Sequence, residues 1–114
     1  MEVDLFAGIP VNDFAAALPW YEKLFGRKPS MFPHDTEAVW ELAEHRLIYI
    51  VQRPERAGHA IHTMIVGDFD PLMAEIASRG LVPAKQERYG NGVRKTTFVD
   101  PDGNEIAFGA VPTS

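Results

Sequence analysis

Histidines are the side chains of this chain best suited to proton transfer or metal binding, and there are four of them. His34 and His45 fall in predicted turns, so we expect both in solvent. His59 stands near a connector. Only His62 lies in a clear strand, and its phase places it on the side that a helix covers. A structural role is therefore favoured over a catalytic one for His62.

The other polar residues assemble no nucleophilic site. The chain has no cysteine, and no Ser/His/Asp set can be put together. Glu41 and Arg94 could each direct a charge into a cleft, where Arg94 could meet a carbonyl or carboxylate, and a surface role is equally expected for both. Residues 89–92, Tyr-Gly-Asn-Gly, lack the strand and helix context of a phosphate-binding loop. We predict a mobile hairpin loop that covers the cleft there.

Composition excludes several classes of partner. The chain has 114 residues, 46% of them hydrophobic and 24% charged, as is usual for one globular domain. A net charge of −5 with scattered basic residues argues against nucleic acid. No apolar run approaches the about 18 residues of a membrane span, and Glu2 and Asp4 stand where a signal peptide carries positive charge. With no cysteine, the sequence favours a cytoplasmic protein.

The first half of the chain reads as strand, helix and three strands. Residues 3–11 alternate, with Leu5, Ala7, Ile9 and Val11 on one face and Phe6, Gly8 and Pro10 on the other. Asn12-Asp13 offers an N-cap for a helix that ends at Gly26, and Pro19 predicts a kink or a late start. Strands follow at 28–34, 37–43 and 46–52, and then a connector at 53–58.

The pattern then repeats. Residues 64–69 match residues 9–14 as the end of a strand followed by a capped helix, with Asp68 in the place of Asp13. Strands at 84–88, 93–99 and 105–110 complete the second copy. The last two strands are joined by Asp100-Pro101-Asp102-Gly103-Asn104, whose residue types predict a tight hairpin turn. We call residues about 3–53 module 1 and residues about 59–110 module 2 of a single domain, 1–114.

Two βαβββ modules predict an α+β fold. Paired, two curved four-stranded sheets could enclose a cleft between their concave faces while the helices cover the outer faces.

This arrangement resembles the vicinal oxygen chelate superfamily, the group of glyoxalases, bleomycin resistance proteins and extradiol dioxygenases. The residues that carry the resemblance are Val11-Asn12-Asp13-Phe14 with Trp20 to Gly26, Val66 to Asp70 with Arg79-Gly80, and Asp100 to Asn104. The resemblance implies the vicinal oxygen chelate fold and a homodimer, with the modules pairing within a chain or across a domain-swapped dimer. It does not choose among the isomerases, oxygenases, transferases, epimerases and binding proteins that share the fold.

The resemblance also locates the metal site of the family's enzymes, which hold one divalent ion with four side chains. The matching positions here are Phe6, Tyr49, Ile61 and Ala107, and phenyl, alkyl and methyl groups offer no lone pair while a neutral phenol is a poor ligand. A bulge at 62–66 could bring His62 to the position of Ile61, but one histidine without carboxylates is a poor site. We therefore expect no metal and no cofactor.

An aromatic cleft would replace the metal centre. Phe14, Phe25, Phe69 and Phe108 are predicted to be core, whereas Phe6 and Tyr49 are predicted opposite the helix-covered face. The predicted ligand-binding residues are Phe6, Phe32, Trp40, Tyr49, Ile61, Tyr89, Arg94, Phe98 and Ala107.

These features favour a bleomycin-resistance type of protein that protects a cell by sequestering an aromatic cytotoxic compound. The alternatives are a metal-free enzyme, a lyase, isomerase or oxygenase that uses Tyr49, Glu41 or His62, and an accessory domain without a ligand.

Overall fold

The structure is a computed structural model and describes residues 1–112. Two four-stranded sheets, each with one helix, account for most of it. In chain order the elements are β1 (Leu5–Val11), α1 (Phe14–Phe25), β2 (Met31–His34), β3 (Glu37–Ala43), β4 (Arg46–Gln52), β5 (Ile61–Ile65), α2 (Phe69–Ser78), β6 (Lys85–Arg88), β7 (Arg94–Val99) and β8 (Glu105–Ala110). A single 3-10 turn, Pro54–Arg56, lies in the connector between the modules. The predicted α+β fold with two βαβββ modules is confirmed.

The sequence repeat is also a repeat of topology. The strand orders are β1-β4-β3-β2 and β5-β8-β7-β6. In each sheet the first and last strands of the module pair in parallel, and the other neighbours are antiparallel. The edges of some predicted elements differ, since β1 begins at Leu5 rather than at residue 3 and β2 begins at Met31 rather than at residue 28.

Each sheet has a helix-covered face and a face opposite to it, which we call the open face. Ile9 and Val11 of β1 are fully buried under α1, whereas Phe6 on the alternate phase is 48% exposed. The open face of sheet 1 carries Phe6, Gly8, Pro10, Glu37, Val39, Glu41, Leu47, Tyr49 and Val51. The open face of sheet 2 carries Ile61, Thr63, Ile65, Lys85, Glu87, Lys95, Thr97, Val99, Glu105, Ala107 and Gly109.

The helix-covered faces of both modules contribute to one apolar core. Tyr21 and Trp40 of module 1 and Ile76, Phe98 and Ile106 of module 2 belong to the same buried cluster. The predicted core residues Phe14, Phe69 and Phe108 are buried, and Phe25 packs against them, so that prediction is confirmed. No helix within residues 1–112 is long and apolar enough to cross a membrane.

Helix α1 is capped as its sequence predicts. The Asp13 carboxylate accepts a hydrogen bond from the Ala16 N–H, and Gly26 ends the helix in the left-handed conformation at φ 75°. The late start expected from Pro19 is wrong, because the helix is already formed at Phe14 and includes Pro19. Burial of the apolar face of α1 outweighs the backbone bond that proline removes.

Candidate functional site

Tyr49 and Phe6 form an aromatic surface on the open face of sheet 1. Tyr49 of β4 pairs with Gly8 of β1, two residues from Phe6 on the same face. The phenol covers Gly8 closely, since a Cβ built on Gly8 would lie 2.6 Å from the Tyr49 Oη. A glycine is therefore required for the ring to occupy this position.

Ile61 and Ala107 lie on the open face of sheet 2. Ile61 is 71% exposed, and Ala107 on the neighbouring strand is buried. Thr63, two residues after Ile61 on β5, pairs directly with Ala107 on β8, so Ile61 and Ala107 lie on the same face of the sheet. Ile65 extends the apolar surface and is 58% exposed. Both open faces thus present apolar side chains, and the role of these residues in ligand binding stays a prediction.

The side chains at the positions matched to the family's metal ligands do not fit a metal. Phe6, Ile61 and Ala107 have no donor atom, and the Tyr49 phenol is a poor ligand for a divalent ion. In the described part of the chain, no group of three or more His, Cys, Asp or Glu side chains is placed to hold a metal ion. Phe6, Tyr49, Ile61 and Ala107 therefore do not form a divalent-metal site of the family's kind.

Trp40 and Phe98 are not in the cleft, and the sequence prediction for both is corrected. Trp40 is fully buried on the helix-covered face, where its Nε1 donates to the Arg27 carbonyl at 3.0 Å and its ring packs 5.2 Å from the Phe25 ring. Phe98 packs edge to face against Phe108, with 6.1 Å between the centroids. Apolar and polar side chains do not alternate around Trp40 in β3, since Ala38, Val39 and Trp40 are all apolar. The strand pattern therefore did not identify the face on which Trp40 lies.

Arg94 also lies on the helix-covered side, contrary to the prediction that it meets a ligand at the mouth of the cleft. Its guanidinium donates to both carboxylate oxygens of Asp70, at 2.9 and 3.1 Å. It also lies over the Phe69 ring, 4.7 Å from the centroid. The hydrogen bond from Arg94 lowers the pKa of Asp70, and the same bond raises the pKa of Arg94.

Phe32 and Tyr89 lie at the edge of each sheet that is farthest from the first strand of its module. Phe32 is 56% exposed on β2, the edge strand of sheet 1. Tyr89 follows β6, the edge strand of sheet 2, and is 42% exposed. The Tyr89 N–H donates to the Val93 carbonyl at 2.9 Å, which closes the predicted hairpin. Neither residue is brought next to Phe6 and Tyr49 within one chain.

The histidines have structural or surface positions. His62 faces the helix-covered side, as predicted, and its Nε2 lies 2.9 Å from the Gly8 carbonyl oxygen, to which it can donate. His34 pairs with Glu37 at 2.9 Å, and His45 contacts Asp4, and both rings are exposed. Glu41 is exposed on the open face of sheet 1.

The turn between β7 and β8 has a role that its sequence did not reveal. Asp100 is buried, and the Tyr21 hydroxyl of α1 donates to its Oδ2 at 2.7 Å. Asn104 is also buried and donates from Nδ2 to the Pro10 carbonyl at 2.8 Å. The turn of module 2 therefore holds both β1 and α1 of module 1.

This buried network is fully hydrogen bonded. Asp100 Oδ1 accepts from the N–H groups of Asp102 and Asn104, both at 2.9 Å. Burial raises the pKa of Tyr21, and the hydrogen bond to the Asp100 carboxylate raises it further. The network fixes the two modules, and with them the two open faces, relative to each other. The only signal in the sequence was a cluster of polar residues, which a solvated turn would also show.

Comparisons with known proteins agree on the fold. The family model described as Glyoxalase/Bleomycin resistance protein/Dioxygenase superfamily matches residues 3–108. Among curated proteins, none matches the chain.

Several solved structures are similar over nearly the whole chain. A glyoxalase / bleomycin resistance protein from Catenulispora acidiphila is 58% identical over 97% of this chain and 100% of that one, with a TM-score of 0.94. A bleomycin-binding protein complexed with bleomycin is 18% identical, covering 95% of this chain and 98% of its own, with a TM-score of 0.74. A lactoylglutathione lyase from Agrobacterium tumefaciens is 15% identical, covering 93% and 91%, with a TM-score of 0.74.

Proposed function

The chain belongs to the Glyoxalase/Bleomycin resistance protein/Dioxygenase superfamily, and from this membership we propose that it binds and sequesters a small aromatic molecule without a metal. The observation that carries the proposal is the chemistry of the open faces. Phe6, Tyr49, Ile61 and Ala107 line those faces, where the family's metal enzymes need lone-pair donors. Apolar and aromatic side chains suit stacking and burial of a conjugated ligand.

The proposed ligand site is completed by a second copy of the chain. Phe6, Ile61 and Ile65 are 48%, 71% and 58% exposed, which leaves apolar surface uncovered on both open faces. In the homodimer, the open face of module 1 packs toward the open face of module 2 of the partner, and the ligand binds between them. Two equivalent sites follow from the two-fold symmetry of such a dimer.

Sequestration requires no reactive group. A preformed apolar pocket binds through burial and stacking, and the compound is held away from its target. A lactoylglutathione lyase and a bleomycin-binding protein both occur among the structural neighbours, and Phe6, Tyr49, Ile61 and Ala107, of which only the Tyr49 phenol offers a lone pair, favour the binding class. We therefore propose a role in resistance to an aromatic cytotoxic compound, in the cytoplasm.

Thermal unfolding with a ligand panel tests this proposal. Bleomycin and other aromatic natural products are added, each with and without EDTA, and the compound is recovered and analysed by mass spectrometry. A ligand at 100 times its Kd should stabilise the protein by about 2.7 kcal/mol, which is several degrees in Tm. We expect Tyr49→Ala to abolish this shift and Val82→Ala, at a surface position outside the open faces, to preserve it.

Three results would contradict sequestration. Stabilisation by Mn²⁺ or Zn²⁺ that EDTA reverses would identify a metalloprotein. Recovery of a chemically changed compound would favour the metal-free enzyme, for which Tyr49 and Glu41 on the same open face are the candidate acid and base. A panel without any stabilising compound would favour the accessory domain.

A further inference from the structure

A cavity lies in module 2, on the side of sheet 2 away from the open face. It has a volume of about 410 Å³ and opens between α2 and the strands β6 and β7. Its apolar lining consists of Phe69, Met73, Ala77, Leu81, Pro83 and Phe98. This volume falls within the about 300–1,000 Å³ range of small-molecule sites.

The internal repeat shows why the cavity exists in module 2. Counted from the first helical residue, Phe25 of module 1 corresponds to Gly80 of module 2. In module 1, Phe25 and Trp40 fill the space between helix and sheet, with 5.2 Å between their centroids. Helix α2 ends at Ser78 instead, and Gly80 has no side chain to fill the equivalent space. The cavity is thus a property of this half of the molecule.

The charges at the mouth of the cavity favour an anion. Arg88 and Arg94 pair across β6 and β7 and so share the helix-covered face. Asp70 is the acidic residue opposite them, and it is held by Arg94. No ion pair within residues 1–112 involves Arg88. The mouth therefore has two guanidinium groups for one carboxylate.

Glu87 and Lys95 do not change this balance. Both residues also line the cavity, but they pair with each other in the same register, one residue along each strand, so their side chains lie on the alternate face of the sheet. Their charges are also opposite in sign. Glu87 is already paired with Lys85 at 3.4 Å.

We propose that this cavity binds an amphipathic carboxylate, with its apolar tail between α2 and β7 and its carboxylate on Arg88. The planar guanidinium matches a carboxylate in a two-point contact. Arg94 stays on Asp70 and supports the positive potential at the mouth. The site is separate from the open faces, so it is independent of the proposed sequestration.

Octanoate, octan-1-ol and octylammonium serve as matched probes. Their binding is measured from the amide chemical shifts of the isotopically labelled protein. We expect octanoate to shift the resonances of Ala77, Gln86 and Thr96 and to bind about tenfold more tightly than the alcohol, and we expect no binding of the amine. Shifts confined to Phe6 and Tyr49 would overturn the location. Equal affinities for acid and alcohol would overturn the role of the charge.

Three variants locate the site. Ala77→Trp, at an exposed position on the cavity wall, should abolish octanoate binding. Arg88→Gln should weaken octanoate binding about tenfold and leave octan-1-ol binding unchanged, whereas Arg46→Gln on sheet 1 should change neither affinity. Asp70→Asn should tighten octanoate about threefold, since it removes the competing carboxylate. Unchanged octanoate affinity in Ala77→Trp or Arg88→Gln would refute the proposal.

Failure of this proposal can be told apart from failure of the sequestration proposal. Tyr49→Ala should leave octanoate binding intact, and Ala77→Trp should leave the thermal shift by an aromatic ligand intact. Loss of octanoate binding in Tyr49→Ala would place the fatty acid on the open faces and refute the second site.

Discussion

At the scale of single residues, Gly8 and Tyr21 each make one specific contact with a residue distant in sequence. Gly8 makes room for the Tyr49 phenol on the open face of sheet 1. Tyr21 places its hydroxyl on the buried carboxylate of Asp100, in the other module. Each of these contacts joins residues that are far apart in sequence, and each can be tested by removing or adding a few atoms.

Gly8→Ala should displace the Tyr49 ring at little cost in stability. The new Cβ would meet the Tyr49 Oη, the far end of a flexible side chain, so the ring can move rather than the backbone. We expect a loss below about 1 kcal/mol in the free energy of unfolding, together with weaker binding of the aromatic ligand. Gly67→Ala is the control, because a Cβ there meets nothing within 4 Å. Equal ligand affinity in the two variants would contradict the role of Gly8.

Tyr21→Phe should destabilise the protein by about 1–3 kcal/mol, because it removes one of the hydrogen bonds of a buried carboxylate. Its effect should also depend on pH. The pKa of Tyr21 is raised on folding, so the stability that it contributes is fully present below its unfolded pKa of about 10. That stability is lost as the pH rises above this value.

The measurement is the free energy of unfolding by urea between pH 8 and pH 11. Wild type should lose stability above about pH 10, and Tyr21→Phe should lose less over the same range. Tyr89→Phe, at an exposed tyrosine, should follow wild type. An identical alkaline decline in Tyr21→Phe and wild type would show that Tyr21 does not control it.

At the scale of elements, the two helices begin differently although their sequences correspond. Asp13 caps α1 through its carboxylate, whereas the Asp68 side chain makes no capping hydrogen bond at the start of α2. The two helices also end differently, since α2 has 10 residues where α1 has 12, and the cavity lies beside Ala77 near the end of α2. Equivalent positions of the repeat therefore provide internal controls for each other.

Asp13→Ala should cost about 1 kcal/mol of stability, the usual value for the loss of an N-cap side chain. Asp68→Ala should cost clearly less, because its side chain makes no such bond. Both variants remove one exposed carboxylate, so differences in net charge cancel in the comparison. Urea unfolding of the two proteins measures the difference, and equal losses would show that capping is not the cause.

At the scale of the whole molecule, two apolar open faces and one shared core set the architecture. The turn Asp100–Asn104 joins the modules through its hydrogen bonds with Tyr21 and Pro10, while Ile61 and Ile65 remain exposed on the open face of sheet 2. Both features agree with the proposed dimer, in which the two modules of a chain are held together and their open faces contact a partner.

Ile61→Asp should therefore convert the proposed dimer to a monomer without unfolding it. The side chain is 71% exposed in the single chain, so a carboxylate is tolerated there, but burial of that charge against an apolar partner face is costly. Sedimentation velocity should show a dimer for wild type and a monomer for the variant, with unchanged circular dichroism. Val82→Asp is the control for a new surface charge. A monomeric wild type would contradict the dimer.

The order of elements could be predicted from the sequence because the forces involved are local. The alternation of side chains along β1 predicted that Phe6 and Gly8 lie on the face opposite Ile9. The N-cap at Asp13 and the glycine at Gly26 predicted the two ends of α1. Pro19 was misjudged because the local cost of proline was outweighed by tertiary burial of the helix. The repeat of these local signals was sufficient for the fold.

The faces of the later strands required the tertiary structure. A strand slipped by one residue reverses every side chain, and the sequence around Trp40 and Phe98 does not fix that phase. Arg94 was a candidate for ligand binding because it stands near a loop, with a surface role equally expected, and its guanidinium binds Asp70 instead.

By itself, the sequence determined the two modules, the fold and the side chains available at the positions matched to metal ligands, since composition, periodicity and capping act between near neighbours. Only the tertiary structure decided that Asp100 and Asn104 join the modules, that Trp40 and Phe98 are core and that module 2 contains a cavity. These features depend on register and docking between segments distant in the chain, and no local pattern specifies such contacts.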